Sequence, residues 1–456
     1  MAELPLVAFR RYVEELTDEQ IITFEAWTKE AQESLHKKIL PTKDSLVLEH
    51  AYRKQRNILF KPESVRISHK YNYLYFYIPS GQIGVPLTDE LLDYIIELKS
   101  TNVYFEVKLT KKIPISNTKA IYTGELVALY EADYDFDTAK ELLKEYRPID
   151  LLMYAIGYVP TAQAIATRLA LIIPLFKFND KAIHTVTFTP SRMGKSRTAH
   201  ILKGLASCYV TPMPTPARLV YDGARGKYGL TYFYSTLYID EFDKIQSTKR
   251  KDAFKEAYEI LLTGMSDGVW VREVSSKAED FHNLVSFCFM GNIDDKKLND
   301  YIGINKLNKN SREMLYDLLK DVVVAEPFVK RICYAEFIDT EVEAYRFLNY
   351  NENNQVMYLH PKVSRAIIKL LQDKVIEQPI SKRPKSELDE HFNELKAVLT
   401  VLGVELDDDT IEKLVNGSTT FLDVLQDEHG KENVDKQKYE ELDEMTLKEM
   451  LDSVGW

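Results

Sequence analysis

His184-Thr-Val-Thr-Phe-Thr-Pro-Ser-Arg-Met-Gly-Lys-Ser196 is the stretch whose reading decides the fold. Thr185 to Thr189 alternates polar and apolar side chains and predicts a buried strand. A tight turn follows, and helix-forming residues continue from Arg197. Strand, loop and helix in that order, closing on Gly-Lys-Ser, fit the phosphate-loop pattern GxxxxGK[ST], with Thr189 replacing the first glycine. Backbone N–H groups of such a loop and of the helix start converge on phosphate oxygens. The Lys195 ammonium would reach the β- and γ-phosphates, and the Ser196 hydroxyl would ligate Mg²⁺. Thr189, Pro190, Ser191, Arg192, Met193, Gly194, Lys195, Ser196 and Arg197 are therefore the candidate residues for binding ATP.

Two further strands support this reading. Thr236-Leu-Tyr-Ile-Asp240-Glu241 is an apolar run ending in two carboxylates, and Asp240 lies 45 positions after Lys195. Asp240 would complete the Mg²⁺ shell with Ser196, and Glu241 would polarise the attacking water. Leu284-Val-Ser-Phe-Cys-Phe-Met-Gly-Asn292 is a third apolar strand, ending in an amide placed to bond the γ-phosphate or the lytic water. Around these motifs, residues 149–345 alternate strand and helix, which predicts a parallel α/β sheet.

In this order the motifs resemble those of AAA+ ATPases, and Ile239-Asp-Glu-Phe-Asp-Lys-Ile245 is similar to the corresponding MCM-helicase stretch. A wider resemblance is to BrxL, the Lon-like AAA+ protein of BREX phage-defence systems. It rests on Ala155-Ile-Gly-Tyr-Val-Pro160, Leu171-Ile-Ile-Pro-Leu-Phe176 and Ala217-Arg-Leu-Val-Tyr-Asp-Gly-Ala-Arg-Gly-Lys-Tyr-Gly-Leu230. It continues through Met265-Ser-Asp-Gly-Val-Trp-Val-Arg272, Phe289-Met-Gly-Asn-Ile293 and Glu326-Pro-Phe-Val-Lys-Arg-Ile332. The resemblance implies an AAA+ P-loop three-layer core over 149–345 with a helical lid over 346–378. The phosphate loop departs from the family in its poverty of glycine. Such chains also carry a protease-type domain after the ATPase, but no Ser-Lys dyad is placed after Pro384, so proteolysis is not expected.

The resemblance further implies Asn292 as the sensor 1 amide and Arg331 as the arginine finger, with Arg312 as its rival. Arg365 is implied as the sensor 2 arginine at the start of a lid helix. A finger acts on the neighbouring subunit's γ-phosphate, so self-association into a ring, a hexamer, is expected. In MCM-like proteins a hairpin before sensor 1 points into the pore and touches DNA, which singles out Arg272 and Lys277. The segment Arg218–Lys227 resembles a second pore insert carrying Arg225 and Lys227. Such residues would grip phosphates without reading sequence. The expected activity is an ATP-hydrolysing ring that binds or translocates DNA. The alternatives are a protein remodeller, with Trp270 or Tyr228 gripping polypeptide, and an ATP-switched scaffold without a DNA substrate.

The flanking regions are less specific. Residues 1–148 are expected to form an α+β domain, a candidate for DNA or partner binding. Within it Val65–Ile78 looks strand-like, with Tyr71, Tyr73, Tyr75 and Tyr77 on one face, and Thr88 looks like a helix cap. A half-buried sheet face is the reading for those tyrosines, ahead of a base-stacking platform. Val363–Val375 predicts a helix, 379–385 a linker and 386–456 a small acidic helical region.

The chain has 456 residues and a net charge of −11, which at first counts against nucleic acid. Residues 386–456 hold 6 Lys+Arg and 20 Asp+Glu, a net of −14, leaving 53 basic and 50 acidic residues, +3, for the rest. The acidity is thus segregated in a region suited to recruiting a protein partner. Cys208, Cys288 and Cys333 form no CxxC pair and suit buried free thiols. MAELPLVAFRRYVEEL has no signal-peptide pattern and no apolar run approaches a membrane span, so a soluble cytoplasmic protein with no membrane partner is expected.

Overall fold

The computed structural model describes residues 4–8, 48–49, 52–53, 57–60, 64–68, 72–78, 81–88, 103–116, 119–131, 134–222, 227–246, 248–274, 277–293, 310–338 and 344–429. Its N-terminal part is a six-stranded mixed sheet built from β1 (Asn57–Phe60), β2 (Ser64–Ser68), β3 (Tyr73–Ile78), β4 (Gly81–Pro86), β5 (Val103–Ser116) and β6 (Lys119–Glu131). The spatial order is β1-β5-β6-β4-β3-β2. The single strand expected over Val65–Ile78 is in fact a hairpin, β2 and β3. Asn72 starts the return strand at φ +54°, a left-handed conformation that asparagine tolerates. Tyr73 and Tyr75 stack with ring centroids 5.9 Å apart on one face, and Leu74 and Phe76 are fully buried on the other. Tyr71 and the helix expected after Thr88 lie outside the described residues.

The central part is a parallel five-stranded sheet. Its strands are β7 (Thr185–Thr189), β8 (Cys208–Pro212), β11 (Thr236–Asp240), β14 (Ser286–Asn292) and β15 (Tyr334–Phe337). The order is β8-β11-β14-β7-β15. Between them run two antiparallel hairpins, β9 (Tyr221–Asp222) with β10 (Lys227–Tyr228), and β12 (Val269–Val274) with β13 (Lys277–His282). Every residue of β7 is buried, as expected of a central strand covered on both faces. Alternation divides the layers. Val186, Phe188, Leu237, Ile239, Phe287 and Phe289 enter one apolar cluster, while Tyr238, Cys288 and Met290 enter the other. Burying an aromatic such as Phe188 contributes roughly 1.5–3 kcal/mol.

Helices cover both faces. α1 (Phe136–Glu145), α2 (Pro148–Ala155), α3 (Ala162–Ile172) and α4 (Lys195–Leu205) lie on the first cluster's side, and α5 (Thr248–Asp267), α6 (Ser311–Leu319) and α7 (Ala325–Lys330) include residues of the second. The helix expected over Val363–Val375 is α8 (Pro361–Ile376), with Pro361 in its first turn and the His360 side chain capping Lys362 N–H.

The C-terminal helices α9 (Glu387–Leu402), α10 (Asp408–Asn416) and α11 (Phe421–His429) are packed on the core. Phe392, Leu395, Val398, Leu399 and Leu402 share the first apolar cluster with the sheet. Phe421 N–H donates to the Tyr334 hydroxyl (3.1 Å), and Ser311 N–H to Gly417 O (2.8 Å). Of their acids, Glu387, Asp408, Asp409, Glu412 and Asp423 are exposed, whereas Glu394 is buried. All three cysteines are buried and free. Among the described residues no helix is long and apolar enough to cross a membrane.

Candidate active site

Sheet register brings the three motif strands level at their carboxyl ends. Thr189 is opposite Asn292, and β11 pairs with β14 as far as Ile239 opposite Phe289, so Asp240 ends its strand beside them. Ligands of open α/β sheets bind at these ends. The loop between β7 and α4 is shaped by two left-handed residues, Arg192 (φ +67°) and Gly194 (φ +76°), flanking a Met193 that is 2% exposed and anchored in the core. One apolar anchor therefore fixes the glycine-poor loop. Arg192 itself carries the strain that glycine would avoid. At Gly194 no side chain fits, because a Cβ would stand 2.7 Å from the Tyr158 hydroxyl and 3.0 Å from Arg168 Nη2.

Lys195 is buried, and its ammonium donates to Thr189 Oγ1 (2.6 Å), Thr189 O (3.1 Å), Pro190 O (3.2 Å) and Asn292 Oδ1 (3.1 Å). The first and third motifs thus meet through one cation. The second joins them because Ser196 Oγ donates to Asp240 Oδ2 at 2.9 Å. A hydroxyl and a carboxylate oxygen at this separation are the hard-oxygen donor set suited to Mg²⁺. Asp240 Oδ1 accepts from Glu241 N–H (2.9 Å) and helps hold Glu241 at φ +57°. The Glu241 carboxylate is ion-paired with Lys244. Pro190 is buried, whereas Ser191 and Arg192 are exposed on the loop's outer rim.

Asp243 was missed by motif reading. It accepts Asn292 N–H at 3.1 Å and so fixes the end of β14. Burial pushes its carboxyl above the ordinary value, against the pull of that bond. Asp243 is the third acid of Ile239-Asp-Glu-Phe-Asp, and its spacing was the available signal.

A second missed group lies under Gly194. The guanidiniums of Arg168 and Arg197 lie 4.5 and 5.4 Å from the Tyr158 ring centroid, and Arg197 also bonds the Tyr358 hydroxyl. Tyr158 Oη, Arg168 Nε, Arg197 Nη1, Thr198 Oγ1 and Asn349 Nδ2 are buried without a hydrogen-bond partner. Burial alone would raise the Tyr158 phenol, but the charges of Arg168 and Arg197 bring it down to about 8. Only Arg197 of this group carried a sequence signal.

The remaining predicted residues are placed as follows. Arg365 is buried on α8, a helix that packs against α4. Arg331 Nε donates to Leu262 O (2.9 Å) and Ser266 Oγ (2.7 Å), and its Nη1 to Pro327 O (2.6 Å). Arg312 donates to the carbonyls of Val415, Val329, Ile332 and Cys333. The expected hairpin before β14 is β12–β13, and Arg272 on it donates to Tyr221 O of the β9–β10 hairpin. Lys277 opens β13 and Lys227 opens β10, while Arg225 lies outside the described residues. Trp270, weighed above as a polypeptide-gripping aromatic, is a core residue. It is 0% exposed, its Nε1 donates to Asn283 O (2.8 Å), and its ring lies where a Cβ on Gly264 would be.

Residues 125–333 match the family of the Lon-like protease BrxL-like ATPase domain. That span holds the whole parallel sheet up to the edge of β15, with every motif strand of the site. Two viral proteins are also similar to the chain. An uncharacterized protein of Acidianus filamentous virus 2 (isolate Italy/Pozzuoli) is 26% identical over 280 residues, 54% of this chain and 61% of that protein. An uncharacterized protein of Acidianus filamentous virus 1 (isolate United States/Yellowstone) is 25% identical over 311 residues, 64% of this chain and 70% of that protein. The chain therefore spans less than two thirds of the first of these relatives. The BrxL-like match is to an ATPase domain, in agreement with the residues gathered at its strand ends.

Proposed function

We propose that the protein is a Mg²⁺-dependent ATPase of the AAA+ type whose subunits assemble into a ring, a hexamer, acting on DNA. The observation that carries the ATPase reading is the convergence of Lys195, the Ser196–Asp240 pair, Glu241 and Asn292 at the ends of adjacent strands. Lys195 exchanges its carbonyl partners for β- and γ-phosphate oxygens. Ser196 and Asp240 would hold Mg²⁺, whose charge would offset that developing on the phosphates. Glu241, once released from Lys244, orients water and accepts its proton as the bond to the γ-phosphorus forms. Asn292, fixed by Asp243, donates its amide to the γ-phosphate. Arg168, beside Gly194, and Arg197, in the first turn of α4, keep donors unmet.

For the trans finger, Arg331 is the better candidate, because its Nη2 is outside the bonds described, whereas Arg312 spends Nε, Nη1 and Nη2 on carbonyls. The DNA reading is supported by the paired hairpins tied through Arg272 and Tyr221 O, with Lys277 and Lys227 each opening a strand of them. Burial of Trp270 weakens the polypeptide alternative. The test is ATP turnover and electron-microscopic imaging with and without DNA. DNA should stimulate turnover by rings in a salt-dependent way, and Arg272→Ala with Lys277→Ala should lose the stimulation while keeping basal turnover. Rings whose ATPase ignores DNA would leave the scaffold or remodeller reading.

A further inference from the structure

Cys333, His391 and Glu394 meet in the interior, where α9 crosses the turn between α7 and β15. All three are buried, and Sγ, a ring nitrogen and a carboxylate oxygen lie within 4.8 Å of one another. His391 and Glu394 stand three positions apart on α9, so they share one helix face.

The hydrogen bonds around His391 constrain what fills the space between them. Its Nε2 faces Lys330 O at 2.7 Å. A carbonyl only accepts, so Nε2 carries a hydrogen. The other nitrogen, Nδ1, then faces Glu394 Oε2 at 2.8 Å. With a neutral ring, two lone pairs would oppose each other in a buried site. A cation must lie between them, either a proton or a metal ion. Donation of the remote ring N–H to a backbone carbonyl is the second-shell arrangement that orients metal-binding histidines. The Cys333 thiol, directed at His391 O at 3.6 Å, supplies a soft third donor beside the pair.

A proton on Nδ1 would make the two an imidazolium–carboxylate pair; among the described residues no other nearby charge faces the space between them. Arg312 directs Nη2 at the Cys333 carbonyl (3.3 Å), and Lys181 is paired with Glu390. His184 is occupied, with Nε2 on Met265 O and Nδ1 accepting Phe287 N–H.

We propose that Cys333 Sγ, His391 Nδ1 and Glu394 form a structural Zn²⁺ site that clamps α9 to the sheet edge and to the turn carrying Arg331. Thiolate, imidazole and carboxylate together select zinc among the common divalent ions. Binding expels the thiol proton and the proton otherwise held between Nδ1 and the carboxylate. The ion's two positive charges then cancel the thiolate and the carboxylate, which leaves a neutral buried cluster.

The test equilibrates the full-length protein, free of nucleotide, with Zn²⁺, desalts it, and measures metal by mass spectrometry. One equivalent of zinc is expected in the wild type and in Lys195→Ala. Cys333→Ser and His391→Gln should lose it. Cobalt substitution should give a thiolate-to-metal charge-transfer band in the wild type, a readout independent of whether the variants fold. A strong chelator should lower the melting temperature of the wild type and leave that of Cys333→Ser unmoved. A wild type without zinc or the cobalt band overturns the proposal, as does zinc retained by Cys333→Ser. Zinc lost in Asp240→Ala but kept in Cys333→Ser would assign the ion to the phosphate-loop site instead.

Discussion

Two pairs of arginines invite comparison. Arg312 and Arg331 stood out in the sequence as finger candidates, yet Arg312 turns Nε, Nη1 and Nη2 to carbonyls of its own chain and Arg331 turns Nε and Nη1 inward. Arg168, buried, and Arg197, half-buried, lie against Tyr158 beneath the phosphate loop, each with a buried donor unmet. A guanidinium saturated by carbonyls is a structural tie. One left with spare donors in a dry site has been kept there against a desolvation cost, which a ligand rich in acceptors would offset.

The comparison predicts opposite phenotypes. Arg312→Ala should have the largest effect, because it strands carbonyls of three elements. A loss of about 3 kcal/mol in denaturant unfolding is expected, with unchanged slope. If stability held while ATP turnover collapsed, Arg312 would be the finger and the contrast would fail. Arg197→Ala should leave stability nearly unchanged and weaken ATP binding about tenfold, near 1.4 kcal/mol. Unchanged affinity with lost stability would make Arg197 a tie like Arg312.

Tyr158→Phe gives the smallest and most diagnostic effect. The folded phenol titrates near 8, below the ordinary value of 10.0. A lowered acid group contributes stability that is fully present above the unfolded pKa and is lost as pH falls through the folded one. The wild type should therefore gain on Tyr158→Phe as pH rises from about 8 to 10, and a tyrosinate absorbance step near pH 8 should vanish in the variant. A flat difference would show that the two guanidinium charges do not act on this ring.

Much of the site was legible because its chemistry sits in contiguous motifs. Strand alternation, the Gly-Lys-Ser turn and the Asp240-Glu241 ending placed the loop, the contacting Ser196–Asp240 pair and Glu241, and Asn292 fell in register beside Thr189. Arg168 and Tyr158 were not singled out as site residues because only tertiary packing brings their side chains together beside Gly194. Asp243 was written in its motif but overshadowed by the two acids before it. Over residues 386–429 the charge count pointed to a recruiting tail. The helical spacing of Phe392, Leu395, Val398, Leu399 and Leu402, present in the same letters, decided the packing instead. The Val65–Ile78 run hid a turn because alternation continues on both sides of it.

The central claim is that ATP is hydrolysed by Glu241 on a phosphate chain held by Lys195. Its most direct test measures nucleotide binding and single-turnover hydrolysis together in the wild type, Lys195→Ala and Glu241→Gln. Lys195→Ala should lose binding, and Glu241→Gln should bind ATP as the wild type does while hydrolysis falls by about 100-fold or more. Wild-type hydrolysis in Glu241→Gln, or undiminished binding in Lys195→Ala, would contradict the account.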